Sequence, residues 1–377
     1  MEAGMSETVL VTGGAGFIGS FLVDALLEHG DHVIIYDSLE PQVHRTGTPT
    51  YLNRDAEFIQ GDVRDRAALE AVVQRADVVS HQAAMVGVGQ SMYQAERYVD
   101  VNTRGTAMLL DILVNSKHHV RKLIVPGSMS AYGEGRYLCS ICGPVSPPIR
   151  PQPQMEQRHW ELSCTTCGSV LAPAPTDEGK LLQANSVYAI TKQDQEQLAL
   201  SIGSAFGIPT VVLRYFNVFG PRQSLDNPYT GVAAIFMSRL KNNRSPLIFE
   251  DGQQTRDFVS VHDIVSANLL VADDSRADYQ VFNVGAGRRV SILTIAQTLA
   301  HLLDKRIQPT ITGQFRKGDI RHCTADITRI SQILDWAPQV SLDDGLRELI
   351  AWSETITAED RVDAATEELR QRGLLVG

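Results

Sequence analysis

The chain has 377 residues, of which 43% are hydrophobic and 21% are charged, so it can bury a sizeable core and, at roughly 150 residues a domain, form two domains. Its formal net charge of −10 argues against nucleic acid as a partner, because an acidic surface repels phosphodiester backbones; a phosphate-bearing small ligand stays possible. No apolar run reaches the roughly 18 residues of a membrane span, and the beginning, MEAGMSE, lacks the basic and apolar regions of a signal peptide, so we expect a cytoplasmic protein with no membrane partner.

The first half of the chain alternates short apolar runs with helical patterns. Residues 8–12 (TVLVT) predict a strand and residues 16–29 predict a helix. Further strands are expected at 32–37, 56–60, 77–81 and 122–126, with helical stretches between them. Continuous apolar strands separated by helices are typical of a buried parallel sheet. The sequence therefore predicts an α/β fold with a Rossmann-type, doubly wound parallel sheet.

The second half is less regular. Residues 137–175 are rich in Pro and Cys and show no clear period, which indicates an insertion. The α/β pattern resumes with a helix at 186–205 and a strand at 209–216. Beyond residue 217 the elements are shorter and mixed, as in a smaller C-terminal lobe. The charged residues 357–377 predict a helical tail at the surface.

A glycine-rich turn, TGGAGFIG at 12–19, lies between the first strand and the first helix. Gly13 allows a tight turn, Gly16 lets backbone N–H groups approach a pyrophosphate, and Gly19 lets helix and strand pack closely. Asp37 closes the next strand, where its carboxylate can bind the adenosine ribose and oppose a 2′-phosphate, which favours NAD over NADP. Arg45 in the following loop leaves NADP open. The GDV motif at 61–63 places Asp62 at the adenine edge.

A second motif, YAITK, runs from Tyr188 to Lys192, with Ser186 as the expected N-cap of its helix. The phenol and the ammonium share one helical face at i and i+4, so we expect Lys192 to lower the pKa of Tyr188 toward working pH. Ser128 follows the strand 122–126, at the edge where open α/β sheets place their ligands. Taken alone, a Tyr-x-x-x-Lys pair is also compatible with an ordinary exposed helix face.

Further motifs extend over the chain: HxAA at 81–84, RYFNVFGPR at 214–222, QTRDFV at 254–259 and RxGD at 316–319. With the glycine-rich turn and the Tyr-x-x-x-Lys pair, they resemble the extended short-chain dehydrogenase/reductase family of NAD-dependent epimerases and dehydratases. The resemblance covers nearly the whole chain outside the insertion. It implies that Tyr188 is the catalytic base, that Lys192 binds the nicotinamide ribose and that Ser128 hydrogen-bonds the reacting sugar hydroxyl.

The resemblance also implies the ligand contacts. Asn217, Arg256 and Arg316 are expected to hold the diphosphate or base of a nucleotide sugar, since a guanidinium fork matches phosphate oxygens; the alternative for each arginine is a surface salt bridge. The complete expected set is Gly13, Gly16, Phe17, Ile18, Gly19, Asp37, Asp62, Val63, Ala83, Tyr188 and Lys192 for NAD, and Val86, Ser128, Asn217, Val232, Arg256 and Arg316 for the substrate.

Residues next to Ser128 bear on the reaction. In 4,6-dehydratases of this family an Asp-Glu pair follows the corresponding residue, whereas Met129 and Ser130 stand here, and neither can act as the acid or base of an elimination. This favours 4-epimerisation of a nucleoside-diphosphate hexose through a 4-keto intermediate. A dehydratase, a reductase or a decarboxylase on the same scaffold, and a non-catalytic sensor of NAD or sugar nucleotide, are the alternatives.

The sugar pocket is expected to include residues 84–91, which are small and apolar and suit a 6-deoxysugar, although they are also compatible with a plain loop. The Cys-rich insertion, the segment 227–236 and the segment 250–258 resemble the bacterial dTDP-L-rhamnose 4-epimerase type. The expected substrate is therefore dTDP-L-rhamnose or a related dTDP- or UDP-sugar.

The insertion carries two Cys-x-x-Cys-Gly motifs, with 21 residues between Cys142 and Cys164. Four thiolates at this spacing, from Cys139, Cys142, Cys164 and Cys167, suit a tetrahedral zinc, and four protein ligands make that zinc structural. A redox pair is disfavoured, because prolines rather than a helix follow the first motif, and a disulfide is disfavoured in the cytoplasm. Cys323 stands apart and is expected to be an ordinary thiol.

These expectations divide the chain. Residues 6–216 with 259–285 form an NAD-binding domain that carries the zinc-binding insertion 137–175. Residues 217–258 with 286–356 form a lobe that binds the sugar nucleotide, and 357–377 form the tail. Because the insertion lies between Ser128 and Tyr188, we expect it to flank the sugar pocket. The resemblance also implies a homodimer through the helices at 102–113 and 186–205.

Overall fold

A computed structural model describes residues 6–377. The residues Met1–Met5, which carry most of the signal-peptide expectation, lie outside this range. Among the described residues, no helix is both long and apolar enough to cross a membrane. The first half contains β1 Thr8–Thr12, α1 Phe17–His29, β2 His32–Asp37, β3 Glu57–Gln60, α2 Arg66–Val73, β4 Val78–His81, α3 Val88–Ser91, α4 Ala95–Tyr98, a π-helical segment Val99–Arg104, α5 Gly105–Asn115 and β5 Lys122–Ser128.

The predicted insertion contains short elements that the sequence pattern did not reveal. They are β6 Arg136–Cys139, β7 Gly143–Val145, α6 Gln152–Glu156 and β8 Ala172–Ala174. The three strands form an antiparallel sheet in the order β7-β6-β8. Strands of three or four residues, two of which contain proline, are too short to show an alternating apolar pattern, which explains why the insertion was expected to be irregular.

The remainder of the chain begins with the two elements expected from the sequence and continues with many short ones. They are α7 Val187–Phe206, β9 Thr210–Tyr215, β10 Asn217–Phe219, α8 Val232–Lys241, β11 Leu247–Ile248, β12 Thr255–Arg256, β13 Phe258–Ser260, α9 Val261–Asp273, β14 Val281–Val284, β15 Val290–Ser291, α10 Ile292–Leu302, β16 Thr310–Ile311, β17 Phe315–Arg316, α11 Thr328–Leu334, α12 Leu342–Glu354, α13 Val362–Gln371 and β18 Leu375–Val376.

Within residues 6–377 the main sheet has seven strands in the order β14-β9-β5-β4-β1-β2-β3, and each neighbouring pair is parallel. The predicted doubly wound parallel sheet is thus confirmed. The crossing from β3 back to β4 reverses the direction in which strands are added. That reversal leaves a crevice between the carboxyl ends of β1 and β4, the usual ligand site of such sheets.

Two apolar cores cover the faces of the sheet, because successive residues of a strand point to opposite sides. Val9 and Val11 of β1 pack in one core with Leu22 of α1, whereas Leu10 packs in the other core with Leu109 of α5. Helices therefore cover both faces and leave the carboxyl edge of the sheet as the accessible side.

A third core lies in the C-terminal lobe and includes Phe219, Phe236, Ile295 and Leu346. Strand β14 does not belong to this lobe, because it pairs with β9 in the main sheet. We therefore propose that residues 259–285, which include β14, belong to the first domain, and that residues 217–258 and 286–356 form the lobe.

The buried His81 makes folding stability depend on pH. Its Nδ1 lies 2.9 Å from Thr12 Oγ1 and its Nε2 lies 3.0 Å from Thr106 Oγ1. Burial lowers its pKa from 6.5 to about 3, and the nearby Lys192 acts in the same direction. Below pH 6.5 the His81 imidazole is protonated in the unfolded chain but stays neutral in the folded chain. The free energy of unfolding therefore decreases as pH falls from 6.5 toward about 3.

We expect His81→Gln to reduce the slope of unfolding free energy against pH by up to about 1.4 kcal/mol per pH unit between about pH 6 and 4. Urea unfolding at several pH values measures that slope. The matched control is the exposed His119→Gln, which should keep the wild-type slope. A wild-type slope in His81→Gln would contradict this account.

Candidate active site

One cavity of about 630 Å³ lies at the carboxyl ends of β1, β4 and β5 and is also lined by the C-terminal lobe. All residues that the sequence analysis assigned to cofactor, catalysis or substrate line it: Gly13, Gly16, Phe17, Ile18, Gly19, Asp37, Asp62, Val63, Ala83, Val86, Ser128, Tyr188, Lys192, Asn217, Val232, Arg256 and Arg316. The structure thus brings residues from 13 to 316 into one space.

The turn between β1 and α1 has the geometry of an anion site. Gly13 has a φ of +69°, and a Cβ there would lie 2.7 Å from the Ala83 nitrogen; a Cβ at Gly19 would lie 2.3 Å from the Gly13 carbonyl oxygen. Helix α1 then begins at Phe17 with no acidic residue in its first turn. The N–H groups of that turn have no carbonyl partner within the helix, so they can bind a phosphate.

Asp37 is fixed at the end of β2. Its Oδ2 accepts a hydrogen bond from the Ala15 N–H at 3.0 Å and its Oδ1 accepts one from the Leu39 N–H at 2.8 Å, which leaves lone pairs for a ribose. Arg45 does not line the cavity, because its guanidinium pairs with Asp226 and Glu359. The arrangement therefore favours a ribose without a 2′-phosphate and removes the reason for considering NADP.

The catalytic group meets where β5 ends and α7 begins. Ser186 is the N-cap of α7, as predicted, and accepts a hydrogen bond from the Ala189 N–H at 3.1 Å. Ser91 Oγ accepts one from the Tyr188 N–H at 3.0 Å, and the Tyr98 ring packs edge-on against the Tyr188 ring. These contacts from α3 and α4 hold the Tyr188 phenol in place beside Ser128.

The pKa of Tyr188 differs from the expectation. Burial raises it, and the Ser128 hydroxyl, which acts in the opposite direction, does not outweigh burial. Lys192 does not lower it in the protein alone, because the Lys192 ammonium is itself buried and donates to Gln195 Oε1 at 2.8 Å. Burial lowers the pKa of Lys192 to about 7. The expected effect of Lys192 on the pKa of Tyr188 was therefore wrong for this state of the protein.

The two predicted phosphate-binding arginines share one carboxylate. Arg256 Nη2 lies 3.3 Å from Asp319 Oδ1, and Arg316 Nη2 lies 2.7 Å from Asp319 Oδ2. Burial raises the pKa of Asp319, but the charges of Arg316 and Arg256 outweigh burial and hold it below its usual value. The salt-bridge alternative is thus real for both arginines, yet both still face the cavity. A bound diphosphate would compete with Asp319 for them.

The backbone also holds Arg256 in position. Its Nη1 donates to the carbonyl oxygens of Thr255 and Arg321, and its Nη2 donates to that of Ile320. The segment that follows Asp319 therefore sets where this guanidinium lies. Asn217 contributes a different feature, since its buried Oδ1 has no hydrogen-bond partner among residues 6–377 and is available to a ligand.

Several residues that line the cavity were not predicted from the sequence. Asp319 lies in the quoted RxGD motif, but only its arginine was assigned a role. Gln223 and Gln254 line the cavity with side-chain oxygens that lack partners within residues 6–377. The tail was expected at the surface, yet Val362 and Leu369 of α13 line the cavity. Their spacing of i and i+7 is typical of an amphipathic helix and could have revealed a packed face.

The four insertion cysteines form a compact cluster, with all Sγ atoms within 4.8 Å of one another. Tetrahedral sulfurs around a zinc at about 2.3 Å stand about 3.8 Å apart, so the cluster fits this ion. Gly143 and Gly168, which end the two motifs, have φ values of +79° and +77°, the left-handed conformation that glycine adopts readily. Cys323 is separate and buried.

The insertion does not flank the cavity as expected, because no residue from 137 to 175 lines it. Instead it packs on the lobe through buried charges. Arg150 donates to Glu250 with both Nη atoms, at 2.8 and 2.7 Å, and its Nη2 also donates to the Asp319 carbonyl oxygen at 3.2 Å. Arg321 in turn pairs with Glu161 of the insertion at 2.6 Å. The insertion thus contacts the segment 319–321 that positions Arg256.

Comparison with known proteins gives a consistent result. A profile of the NAD dependent epimerase/dehydratase family matches residues 9–151 and 158–285. The chain is 34% identical over 349 residues to a dTDP-L-rhamnose 4-epimerase of Burkholderia thailandensis, which covers 92% of this chain and 94% of that protein.

Two solved structures extend the comparison. The UDP-glucose 4-epimerase of Thermotoga maritima, solved with UDP-glucose, has a TM-score of 0.77 and 32% identity over 92% of this chain and 99% of that one. The UDP-glucuronic acid 4-epimerase of Bacillus cereus, solved with UDP-glucuronic acid and NAD, has a TM-score of 0.74 and 28% identity over 93% and 100%.

Proposed function

The chain belongs to the NAD-dependent epimerase/dehydratase family, and we propose that it is an isomerase that epimerises a nucleoside-diphosphate hexose at C4 with NAD as resident cofactor. The observation that carries this proposal is the single cavity that holds the glycine-rich turn, the Ser128–Tyr188–Lys192 group and two arginines. A dinucleotide site, a proton-transfer group and a diphosphate site are the three parts that the reaction requires.

Each residue of the catalytic group has a separate role in the proposed reaction. The glycine-rich turn at 13–19, Asp37 and Lys192 would hold NAD, which would supply the hydride acceptor and donor for C4 of the sugar. In its phenolate form Tyr188 accepts the C4 hydroxyl proton, and it gives that proton back in the second half. Ser128 hydrogen-bonds the same oxygen, and its own hydroxyl is oriented by Ser130 Oγ at 2.8 Å. Lys192 binds the nicotinamide ribose.

The diphosphate must stay bound while the sugar moves, because the reaction requires the sugar to present both of its faces to the cofactor. Arg256 and Arg316 supply the anchor by exchanging Asp319 for phosphate oxygens, which match the guanidinium fork. Asn217 and Val232 contact the nucleotide half of the substrate. The same two guanidinium groups therefore bind Asp319 in the free protein and the diphosphate in the complex.

Elimination and other outcomes on the same scaffold are less well supported. Met129 and Ser130 occupy the positions next to Ser128, line the cavity and carry no carboxyl group, so no acid stands there for a dehydration. A decarboxylase would need a sugar acid, and Val86, Val88 and Met92, which line the cavity, offer no charged partner to its carboxylate.

We propose dTDP-L-rhamnose as the substrate. The support comes from the relative in Burkholderia thailandensis and from Val86, Val88 and Met92, which line the cavity with apolar side chains. A 6-deoxysugar presents a methyl group where other hexoses carry a hydroxyl, and burying an unpaired hydroxyl is unfavourable.

Purified protein incubated with dTDP-L-rhamnose should yield the 4-epimer, observed by NMR, without added cofactor. Tyr188→Phe should lower kcat by about 100-fold or more, since it removes the proton acceptor, while NAD content stays at the wild-type level. The exposed Tyr279→Phe is the control and should keep full activity. No conversion of dTDP-L-rhamnose, with turnover of UDP-glucose or UDP-N-acetylglucosamine, would contradict the substrate; equal activity of Tyr188→Phe would contradict the mechanism.

We also propose that Cys139, Cys142, Cys164 and Cys167 hold a structural zinc. All four Sγ atoms are committed to the ion, which leaves no open position for a reaction. The ion would fix β6 and the loop before β8, and thereby the surface from which Arg150 and Glu161 reach the lobe.

Elemental analysis should find one zinc per chain, and Cys142→Ser should lose it and lower the melting temperature. Cys323→Ala, which removes a thiol outside the cluster, should retain the metal. Wild-type protein without zinc, or Cys142→Ser with a full complement, would contradict the site.

The homodimer and the cytoplasmic location stay predictions. Val99 in the π-helical segment and Ile190 in α7 are 45% and 47% exposed. Both lie on or next to the helices through which the family resemblance implies a dimer, and two exposed aliphatic side chains there support that surface.

A further inference from the structure

The C-terminal tail is part of the cavity wall. Val362, Ala365, Thr366 and Leu369 of α13 and Leu374 before β18 all line the cavity that holds Tyr188. The same helix places Asp363, Ala364 and Glu367 on its exposed side. The face turned toward the substrate space is therefore apolar except for the Thr366 hydroxyl, and the polar face is turned toward solvent.

Specific contacts fasten this helix over the cavity. Glu368 Oε2 accepts hydrogen bonds from the hydroxyl groups of Tyr93 at 3.1 Å and Tyr229 at 2.9 Å. The Arg372 guanidinium lies 4.1 Å from the centre of the Tyr93 ring, within the range of a cation–π contact. The hydroxyl groups of Tyr93 and Tyr229 therefore already donate to Glu368 rather than to a sugar.

The end of the chain is tied to the phosphate side of the site. Strand β18 pairs antiparallel with β17, with Leu375 opposite Arg316 and Val376 opposite Phe315. The tail thus spans from the arginine that faces the diphosphate to the region near α3.

Helix α3, which follows the loop after β4, contacts the catalytic tyrosine, since Ser91 Oγ accepts the hydrogen bond from the Tyr188 N–H. Helix α3 also lies close to α13, because a Cβ built on Gly89 would lie 3.4 Å from Leu369 Cδ2. Val86 and Met92 are 52% and 43% exposed and line the cavity. The apolar wall therefore begins beside the reacting centre and continues onto the tail.

We infer that Leu369 and Ala365 of α13, with Val86 and Met92 of the same cavity, are specificity-determining residues that select a sugar with an apolar C6 substituent. This inference rests on the proposed 4-epimerase function. A C6 methyl gains contact with these four side chains, whereas a C6 hydroxyl finds no hydrogen-bond partner among them and a C6 carboxylate is desolvated as a charge. A hydrophobic pocket rejects an added hydroxyl only by up to about 100-fold, so the preference is graded.

The test compares kcat/KM for a dTDP-6-deoxyhexose with that for a dTDP-hexose bearing a C6 hydroxyl. Wild-type protein should prefer the deoxysugar by roughly 10- to 100-fold. Ala365→Ser, which adds one hydroxyl with little change in volume, and Leu369→Asn should each reduce that ratio at least about five-fold. Ala364→Asn, on the exposed side of α13, is the control and should keep the wild-type ratio. NAD content and melting temperature are measured for each variant.

A ratio unchanged in both Ala365→Ser and Leu369→Asn would overturn the specificity role while leaving the epimerase function intact. The same holds for a wild-type protein that turns over both sugars equally. A protein that epimerises none of the nucleotide sugars would instead overturn the proposed function together with the inference. The ratio supports the inference only if it falls in the wall variants and not in Ala364→Asn.

Discussion

Gly13 brings the turn after β1 against the end of β4, so closely that a Cβ on Gly13 would meet the backbone nitrogen of Ala83. This close approach bounds one side of the crevice that lies where the strand order reverses. It also directs the start of α1 toward that crevice. The cofactor site, the loop that follows β4 and the end of β5 then lie side by side. Ser128 and Tyr188, separated by the whole insertion in sequence, face one space because those strand ends are held together there.

The substrate side depends on segments that are far apart in the chain. Asp319 pairs with both arginines, Arg150 of the insertion contacts the Asp319 carbonyl oxygen, and β18 pairs with the strand that carries Arg316. The insertion and the tail thus act on the same short segment from two sides. The insertion and the tail therefore both bear on how the nucleotide sugar is held.

The sequence predicted the parts of this site that local pattern encodes. Strands β1 and β2 were predicted to the residue, and the turn at Gly13 and the pair Tyr188–Lys192 were found from their spacing together with their position in the predicted sheet and the family resemblance. The pKa of Tyr188 could not be predicted in this way, because it depends on burial by packed neighbours. The bridging role of Asp319 and the inward face of α13 also depend on long-range packing. The insertion was recognised by its cysteines, but its contact with the lobe depends on buried ion pairs that no sequence period reveals.

The central claim is that the hydrogen at C4 leaves and returns within one closed site. The most direct measurement uses dTDP-L-rhamnose with deuterium at C4, followed by NMR of both epimers. The account predicts that the product keeps its deuterium at C4 and that unlabelled substrate gains none from D₂O, while Tyr188→Phe forms product at least about 100-fold more slowly. Loss of the C4 label to solvent during epimerisation would contradict the account, since it would mean that the C4 hydrogen leaves as a proton.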